Sequence, residues 1–68
     1  MSYYASAKNG AVHLYKNGMG TPVHTFGHGS RITSALVSGD EIYCESESGN
    51  TFVYKINGNS ANLIRTFR

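Results

Sequence analysis

Two similar stretches decide the fold of this chain: "YASAKNGAVHLYK" at residues 4–16 and "YCESESGNTFVYK" at residues 43–55. Aligned without a gap, they share tyrosines, a glycine and a Tyr-Lys pair, namely Tyr4 with Tyr43, Gly10 with Gly49, and Tyr15-Lys16 with Tyr54-Lys55. A further match follows once two extra residues are allowed in the second copy, because "VHTF" at 23–26 then corresponds to "IRTF" at 64–67. Identity at these positions in the same order predicts an internal repeat.

Between breaks rich in glycine and asparagine, the chain carries short segments rich in Tyr, Val, Ile, Phe and Thr. Such segments, separated by residues that tolerate positive φ, are typical of antiparallel strands joined by tight turns. No window repeats its apolar residues with the period of an amphipathic helix. The pattern therefore predicts an all-β chain of about seven short antiparallel strands, at 2–8, 11–17, 22–27, 31–38, 41–47, 50–56 and 62–68.

The repeat divides what we expect to be one small domain, residues 1–68, into two similar three-strand units. The first unit spans 3–27 and the second spans 42–68, and strand 31–38 joins them. Strand 31–38 precedes the second unit, and no equivalent strand precedes the first. The expected architecture is a pair of antiparallel meanders, with a compact seven-strand sandwich or barrel as the alternative.

The second half of the chain, residues 32–67, resembles a WD40 repeat. Residues 32–38 fall where that family has its innermost strand, and Tyr54-Lys55 stands where Trp-Asp is common. Gly27-His28 matches the Gly-His of the family signature. The resemblance implies four-stranded β-propeller blades, about one and three-quarters of them in this chain.

The resemblance to WD40 repeats is degenerate. The sequence contains no Trp, and Asn9 and Ser48 occupy the turn positions where the family prefers Asp. Two blades also do not close a ring, since a propeller has at least about four. Because an isolated pair of blades would leave apolar faces and strand edges in water, we expect a homo-oligomer. Three copies would form a six-bladed ring, and a dimer is the alternative.

The composition restricts the classes of function and partner. Six Lys and Arg against four Asp and Glu give a net charge of +2, which is too small to predict nucleic-acid binding from charge. The sequence shows no signal peptide and no apolar run near the ~20 residues of a membrane span. A single cysteine, Cys44, excludes an intrachain disulfide and favours a cytoplasmic protein. We expect no cofactor, no metal and no membrane association.

The aromatic residues divide into expected core and surface positions. Those repeated between the units are expected to pack in the core: Tyr4, Tyr15, Phe26, Tyr43, Tyr54 and Phe67. Tyr3 and Phe52 have no aromatic counterpart in the other unit, so they are candidates for contact with a partner. His28 and Arg31, in and next to the glycine-rich "GHGS" at 27–30, are two further contact candidates.

No catalytic constellation is present in the sequence. Cys44 lies in a predicted strand, where a buried structural cysteine is the ordinary interpretation, and no nucleophile-elbow motif occurs. The expected function is therefore a non-enzymatic binding module that acts through protein–protein contacts as a homo-oligomer, either an inhibitor or an adaptor. A carbohydrate-binding oligomer and a weak nucleic-acid-binding protein are the alternatives.

Overall fold

The computed structural model describes residues 2–67 and shows an all-β architecture of seven antiparallel strands in two sheets. The strands are β1 (Tyr3–Lys8), β2 (Ala11–Lys16), β3 (His24–Phe26), β4 (Ile32–Ser38), β5 (Glu41–Ser46), β6 (Thr51–Asn57) and β7 (Ser60–Phe67). This confirms the expected fold class, and each predicted strand end within the described residues lies within two residues of the observed one. Met1 and Arg68, which the predicted domain includes, lie outside the described residues.

The strands form two meanders in chain order. Sheet A has the order β1-β2-β3 and sheet B the order β4-β5-β6-β7. A single 3-10 turn, His28–Ser30, connects the sheets. The strand predicted to join the two units is β4, and it pairs with β5 as the first strand of sheet B. The chain is therefore a three-strand meander followed by a four-strand meander.

The hairpin between β1 and β2 turns on two residues, Asn9 and Gly10. Both have positive φ, 55° and 79°, and Lys8 lies directly opposite Ala11. Two consecutive positive φ angles define the type I′ turn, which matches the natural twist of paired strands. Asparagine and glycine are the residues that adopt this conformation at least cost, so the local sequence specifies the tight turn.

The hairpin between β5 and β6 turns on three residues, Glu47, Ser48 and Gly49. Only Gly49 has a positive φ, at 91°. Its N–H donates to the carbonyl of Ser46 at 3.0 Å, and the Ser46 N–H donates to the carbonyl of Asn50 at 2.9 Å. This is the three-residue loop in which a glycine closes a type I turn. Serine stands where the first hairpin has Asn9, and it has less tolerance for positive φ.

The extra loop residue shifts the register of the second hairpin by one. In sheet A, Tyr4 lies opposite Tyr15. In sheet B, Tyr54 lies opposite Ile42, and Tyr43 lies opposite Val53. A shift of one residue moves a side chain to the other face of a sheet. Tyr15 therefore shares the outer face of sheet A with Tyr4, whereas Tyr54 turns inward.

The two sheets face each other across one hydrophobic core. β1 lies against β4, where small side chains such as Ala5 and Ala35 allow close approach. Phe26 of β3 contacts Tyr54 of β6, with ring centroids 4.3 Å apart. The buried cluster between the sheets consists of Val12, Leu14, Ile32, Ile42, Cys44 and Ile56.

Burial corrects part of the expected aromatic core. Tyr4 and Phe67 are each 49% exposed, so the prediction that they pack in the core is wrong. Tyr4 instead stacks on Tyr15 on the outer face of sheet A, with ring centroids 4.7 Å apart. Phe67 lies opposite Thr51 on the outer face of sheet B. Tyr15 and Tyr43 are half-buried, and only Phe26 and Tyr54 of the six pack against the buried cluster.

Sheet A has one strand fewer than sheet B. The sequence alignment places the missing strand before β1, because β1 matches β5. In the structure β1 lies against β4, and Phe26 of β3 contacts Tyr54 of β6. On the inner face of β7, Ala61 is half-buried and packs against the buried cluster, whereas Leu63 and Thr66 are exposed. Sheet A thus ends at β3, beside β6, and sheet B continues by one more strand.

Candidate functional site

A polar cavity lies at the junction between the two sheets, where the 3-10 turn meets the loop between β5 and β6. Its volume is about 410 Å³. It is lined by Gly29, Ser30, Arg31, Glu47, Ser48, Asn50 and Phe52. Small-molecule sites in proteins usually occupy about 300–1,000 Å³, so the cavity is large enough for a small ligand.

Arg31 has an unusual backbone conformation at the rim of this cavity. Its φ and ψ are 52° and 59°, in the left-handed region that non-glycine residues seldom adopt. Backbone bonds on both sides hold it there: Ile32 N–H donates to the Gly10 carbonyl at 2.9 Å, and Glu47 N–H donates to the Arg31 carbonyl at 3.0 Å. Such conformations persist where the surroundings over-determine them, often at binding sites. The Arg31 backbone is thus held by both sheets at once.

The Arg31 side chain points into solvent and is only loosely paired. Its nearest terminal nitrogen lies 3.8 Å from the Glu47 carboxylate, and the two side chains are 79% and 66% exposed. An exposed pair at this distance adds little stability. The guanidinium is therefore available to bind an acceptor group in the cavity.

The opposite wall of the cavity is a network of hydrogen bonds within the β5–β6 loop. Ser46 Oγ lies 2.9 Å from Ser48 Oγ, and Asn50 Nδ2 donates to Ser48 Oγ at 3.3 Å. The Asn50 N–H donates to Ser46 Oγ at 3.2 Å. These contacts orient the hydroxyls and the amide beside the ring of Phe52. Such a wall can recognise a polar ligand that also presents an apolar surface.

The structure brings together two of the four predicted contact residues. Arg31 and Phe52 line the same cavity, and the exposed His28 lies in the adjoining 3-10 turn. Tyr3 lies at the other end of the sandwich, where its hydroxyl donates to the Gly58 carbonyl at 3.2 Å. Sequence reasoning missed Ser48 and Asn50, because nothing in the sequence shows that this loop and Arg31 meet.

A second cavity, of about 400 Å³, lies on the outer face of sheet B. Adjacent strands place two rows of side chains here, one through Leu36 and Tyr43 and the other through Ser34, Glu45, Thr51 and Phe67. Leu36 is 67% exposed. An apolar depression of this kind on a sheet face is a feature of contact surfaces.

Asp40 and Glu41 are engaged by neighbours on sheet B. Lys55 Nζ donates to Asp40 Oδ2 at 2.7 Å, and this pairing lowers the pKa of Asp40 and raises the pKa of Lys55. Glu41 Oε1 accepts hydrogen bonds from the Tyr43 hydroxyl at 3.1 Å and from Arg65 at 3.5 Å. These contacts place the acidic residues at the surface of sheet B as partners of nearby donors.

Cys44 is fully buried between the sheets, and burial raises the pKa of its thiol to about 11. A thiol with this pKa is protonated at neutral pH and is a poor nucleophile. Across residues 2–67, no three His, Cys, Asp or Glu side chains are grouped so that they could hold a metal ion. In the same range, no helix has the length and apolar character needed to cross a membrane.

Comparison with known proteins gives no relative for this chain: no family model, no curated protein and no solved structure matches it.

Proposed function

We propose that this chain is a non-enzymatic β-repeat module that acts by binding other proteins, and that it does so as a homo-oligomer. The observation that carries the proposal is the exposure of large apolar side chains on sheet B: Leu36, Leu63, Ile64 and Phe67. Leu36 and Phe67 lie on the outer face of the sheet and Leu63 lies on its inner face, so apolar side chains are exposed on both faces. Such exposure on a small protein favours contact with other proteins.

The last strand, β7, adds a second reason for association. It is eight residues long and ends sheet B, so one side of its backbone has no strand beside it in the structure. Arg65 is the one charged residue of this strand, and the strand contains no proline. Arg65 and the irregularity near Ile64 protect this edge only in part, and long edge strands can pair with other chains. The surface is therefore suited to association.

The blade-like organisation is part of the same proposal. A four-stranded antiparallel meander facing a second meander supports the WD40-like interpretation. In a ring of three copies, the outer faces of neighbouring sheets would stack on one another. In a dimer, the free ends of the sheets would meet instead.

Native mass spectrometry and light scattering over a range of concentrations test self-association. The proposal predicts a defined oligomer whose population rises with concentration. A strictly monomeric mass at every concentration would contradict it. A pull-down from cell extract followed by mass determination of the complex then identifies a partner, and a reconstituted complex from the two pure proteins must show the same mass.

A second candidate function is the binding of a polar ligand such as a carbohydrate in the cavity between the sheets. The observation that favours it is the meeting of Arg31, Asn50 and Phe52 in one cavity of about 410 Å³. A glycan array with the protein and its Arg31→Ala variant tests this function. Signals lost in Arg31→Ala but kept in Tyr3→Ala, at the far end of the molecule, would support it. If the unchanged protein gives no signal, the carbohydrate-binding function is contradicted.

A further inference from the structure

The free edge of sheet A at β3 is the part of this fold where a further strand could bind. Sheet A ends at β3 while sheet B continues to β7, so the open end of the molecule is a step one strand deep. We infer that a second copy of this chain fills the step with its own β7. This inference rests on the self-association proposed above and specifies which surface mediates it.

A row of apolar side chains extends across the core and ends at the step. Phe26 contacts Tyr54 across the core, and Tyr54 lies opposite Leu63 on the inner face of sheet B. Leu63 is nevertheless 51% exposed, although Ala61 of the same strand face packs against the buried cluster. The adjacent Ile64, which lies at an irregularity in the pairing of β6 with β7, is 42% exposed. A side chain placed beside Phe26 would complete the row.

Strand directions define how a second copy can enter. The start of β4 is bonded to the turn that follows β1, through Ile32 N–H and the Gly10 carbonyl. The start of β1 reaches the turn between β6 and β7, through Tyr3 and Gly58. β1 and β4 therefore run in opposite directions. Since directions alternate within each meander, β3 and β7 run the same way.

A two-fold axis parallel to the strands makes the step self-complementary. This axis places the partner's β7 beside β3 of the first copy and opposite its β7. By symmetry, β7 of the first copy makes the same contacts with the partner, as an isologous interface requires. Each layer then joins three strands from one copy to four from the other, and the joining strand pair extends over the three residues of β3. Phe26 gains the partner's Leu63 as its neighbour, and the two Leu63 side chains meet at the axis. The junction between β3 and the partner's β7 is parallel, which mixed sheets accept.

The charged residues at the step do not oppose contact between two copies of the chain. The inner face of β7 presents Ala61, Leu63 and Thr66, all uncharged, while Arg65 pairs with Glu41 on the outer face. Two copies of β7 can therefore approach without bringing like charges together. This absence of repulsion, together with the shared apolar row, makes a second copy a better occupant than a charged peptide.

The contact area predicts a weak dimer. An eight-residue strand is ~26 Å long, and the step has a profile of ~15 Å, which is one strand spacing plus one sheet separation. Because β3 has only three residues, each copy contributes at most ~400 Å², or ~800 Å² in total, which is below the ~1,200 Å² at which stable interfaces begin. We expect a dimer that is populated only at high protein concentration and dissociates on dilution.

Cysteine cross-linking tests the two-fold contact directly. Leu63→Cys should be joined to its partner's copy by a bismaleimide that spans the ~10 Å between facing sheets. Leu36→Cys is the matched control, because Leu36 is 67% exposed but lies on the outer face of sheet B. Cys44 is buried and remains in both variants. The inference predicts a cross-linked dimer for Leu63→Cys and none for Leu36→Cys at the same concentration.

Native mass spectrometry of Leu63→Lys accompanies the cross-linking, and its expected result is at least a tenfold weaker dimer than for the unchanged protein. An oligomer that cross-links through Leu36→Cys, or equally through both positions, would overturn the stepped dimer while leaving self-association intact. A mass that corresponds to three copies would likewise overturn the stepped dimer and leave self-association intact. An unchanged protein that is monomeric at every concentration would overturn both this inference and the homo-oligomer.

Discussion

The two tyrosine-rich hairpins align without a gap, yet they present their second tyrosine to opposite sides. In the first hairpin, Tyr15 lies opposite Tyr4 and stacks on it at the outer surface. In the second, Tyr54 lies opposite Ile42 and packs inward against Phe26. Equal spacing in the sequence therefore does not mean equal placement in the fold.

The difference originates in the turns. Asn9 and Gly10 both accept a positive φ, so two residues suffice to reverse the chain. In the second hairpin Ser48 replaces the asparagine, and the chain reverses over three residues that end at Gly49. One additional loop residue reverses which side chains face the core. A repeat can thus diverge in packing through the chemistry of a single turn position.

The largest expected effect compares Tyr54→Ala with Tyr15→Ala. Tyr54→Ala removes a ring from the core row and should lower the free energy of unfolding by about 3 kcal/mol. Tyr15→Ala loses a stack at the surface and should cost about 1 kcal/mol. Urea denaturation followed by circular dichroism measures both.

If Tyr54→Ala leaves no folded baseline, the pair Tyr54→Leu and Tyr15→Leu should give the same order. Equal losses at the two positions would mean that the hairpins share one register. Tyr4→Ala serves as the control for the surface stack, because it removes the other ring of that pair.

The next effect concerns pH at Cys44, whose counterpart in the first unit is the non-titrating Ala5. The folded protein keeps the thiol proton up to a pKa of about 11, whereas an exposed thiol has a pKa of 9.0. The folded state therefore binds more protons in this interval, and stability should fall as pH rises from 9.0 to about 11. The expected loss is on the order of 2 kcal/mol.

Urea midpoints measured from about pH 8 to pH 11 check this, with Cys44→Ala as the control. Burial also raises the pKa of Tyr54, so part of the decline should persist in the variant. The difference between the two pH profiles isolates the thiol. Identical profiles for the two proteins would place Cys44 in contact with solvent.

The smallest effect compares the turns themselves, through Asn9→Ala and Ser48→Ala. Asn9 has a φ of 55°, and alanine at that angle should cost about 1 kcal/mol of stability. Ser48 has no positive φ and would lose its hydroxyl contacts with Ser46 and Asn50, which should cost about 0.5 kcal/mol. Thermal or urea unfolding resolves the order of the two, and a larger loss at Ser48 would argue against the three-residue loop.

The strand positions were predictable because glycine and asparagine mark nearly every turn, and β3 and β7 were the only strands with an end misplaced by two residues. The register of the second hairpin was not predictable from the repeat, since a gapless alignment conceals a difference in loop length. The exposure of Leu63, on the same strand face as the packed Ala61, follows from the tertiary structure, and no local pattern in the sequence shows it.

The candidate site was predictable only in part. Arg31 and Phe52 could each be singled out, one beside a glycine-rich segment and the other by its lack of an aromatic counterpart. Their meeting depends on backbone bonds from Gly10 to Ile32 and from Glu47 to Arg31. These bonds join segments that are distant in the chain. The cavity is therefore a product of the tertiary structure rather than of a motif.

The most direct test of the different registers is a set of nuclear Overhauser contacts between aromatic rings in the unchanged protein. The structure predicts contacts from Tyr4 to Tyr15 and from Phe26 to Tyr54, and no contact between Tyr43 and Tyr54. A strong contact between the rings of Tyr43 and Tyr54, with none from Tyr54 to Phe26, would show that both hairpins share one register and would contradict the account.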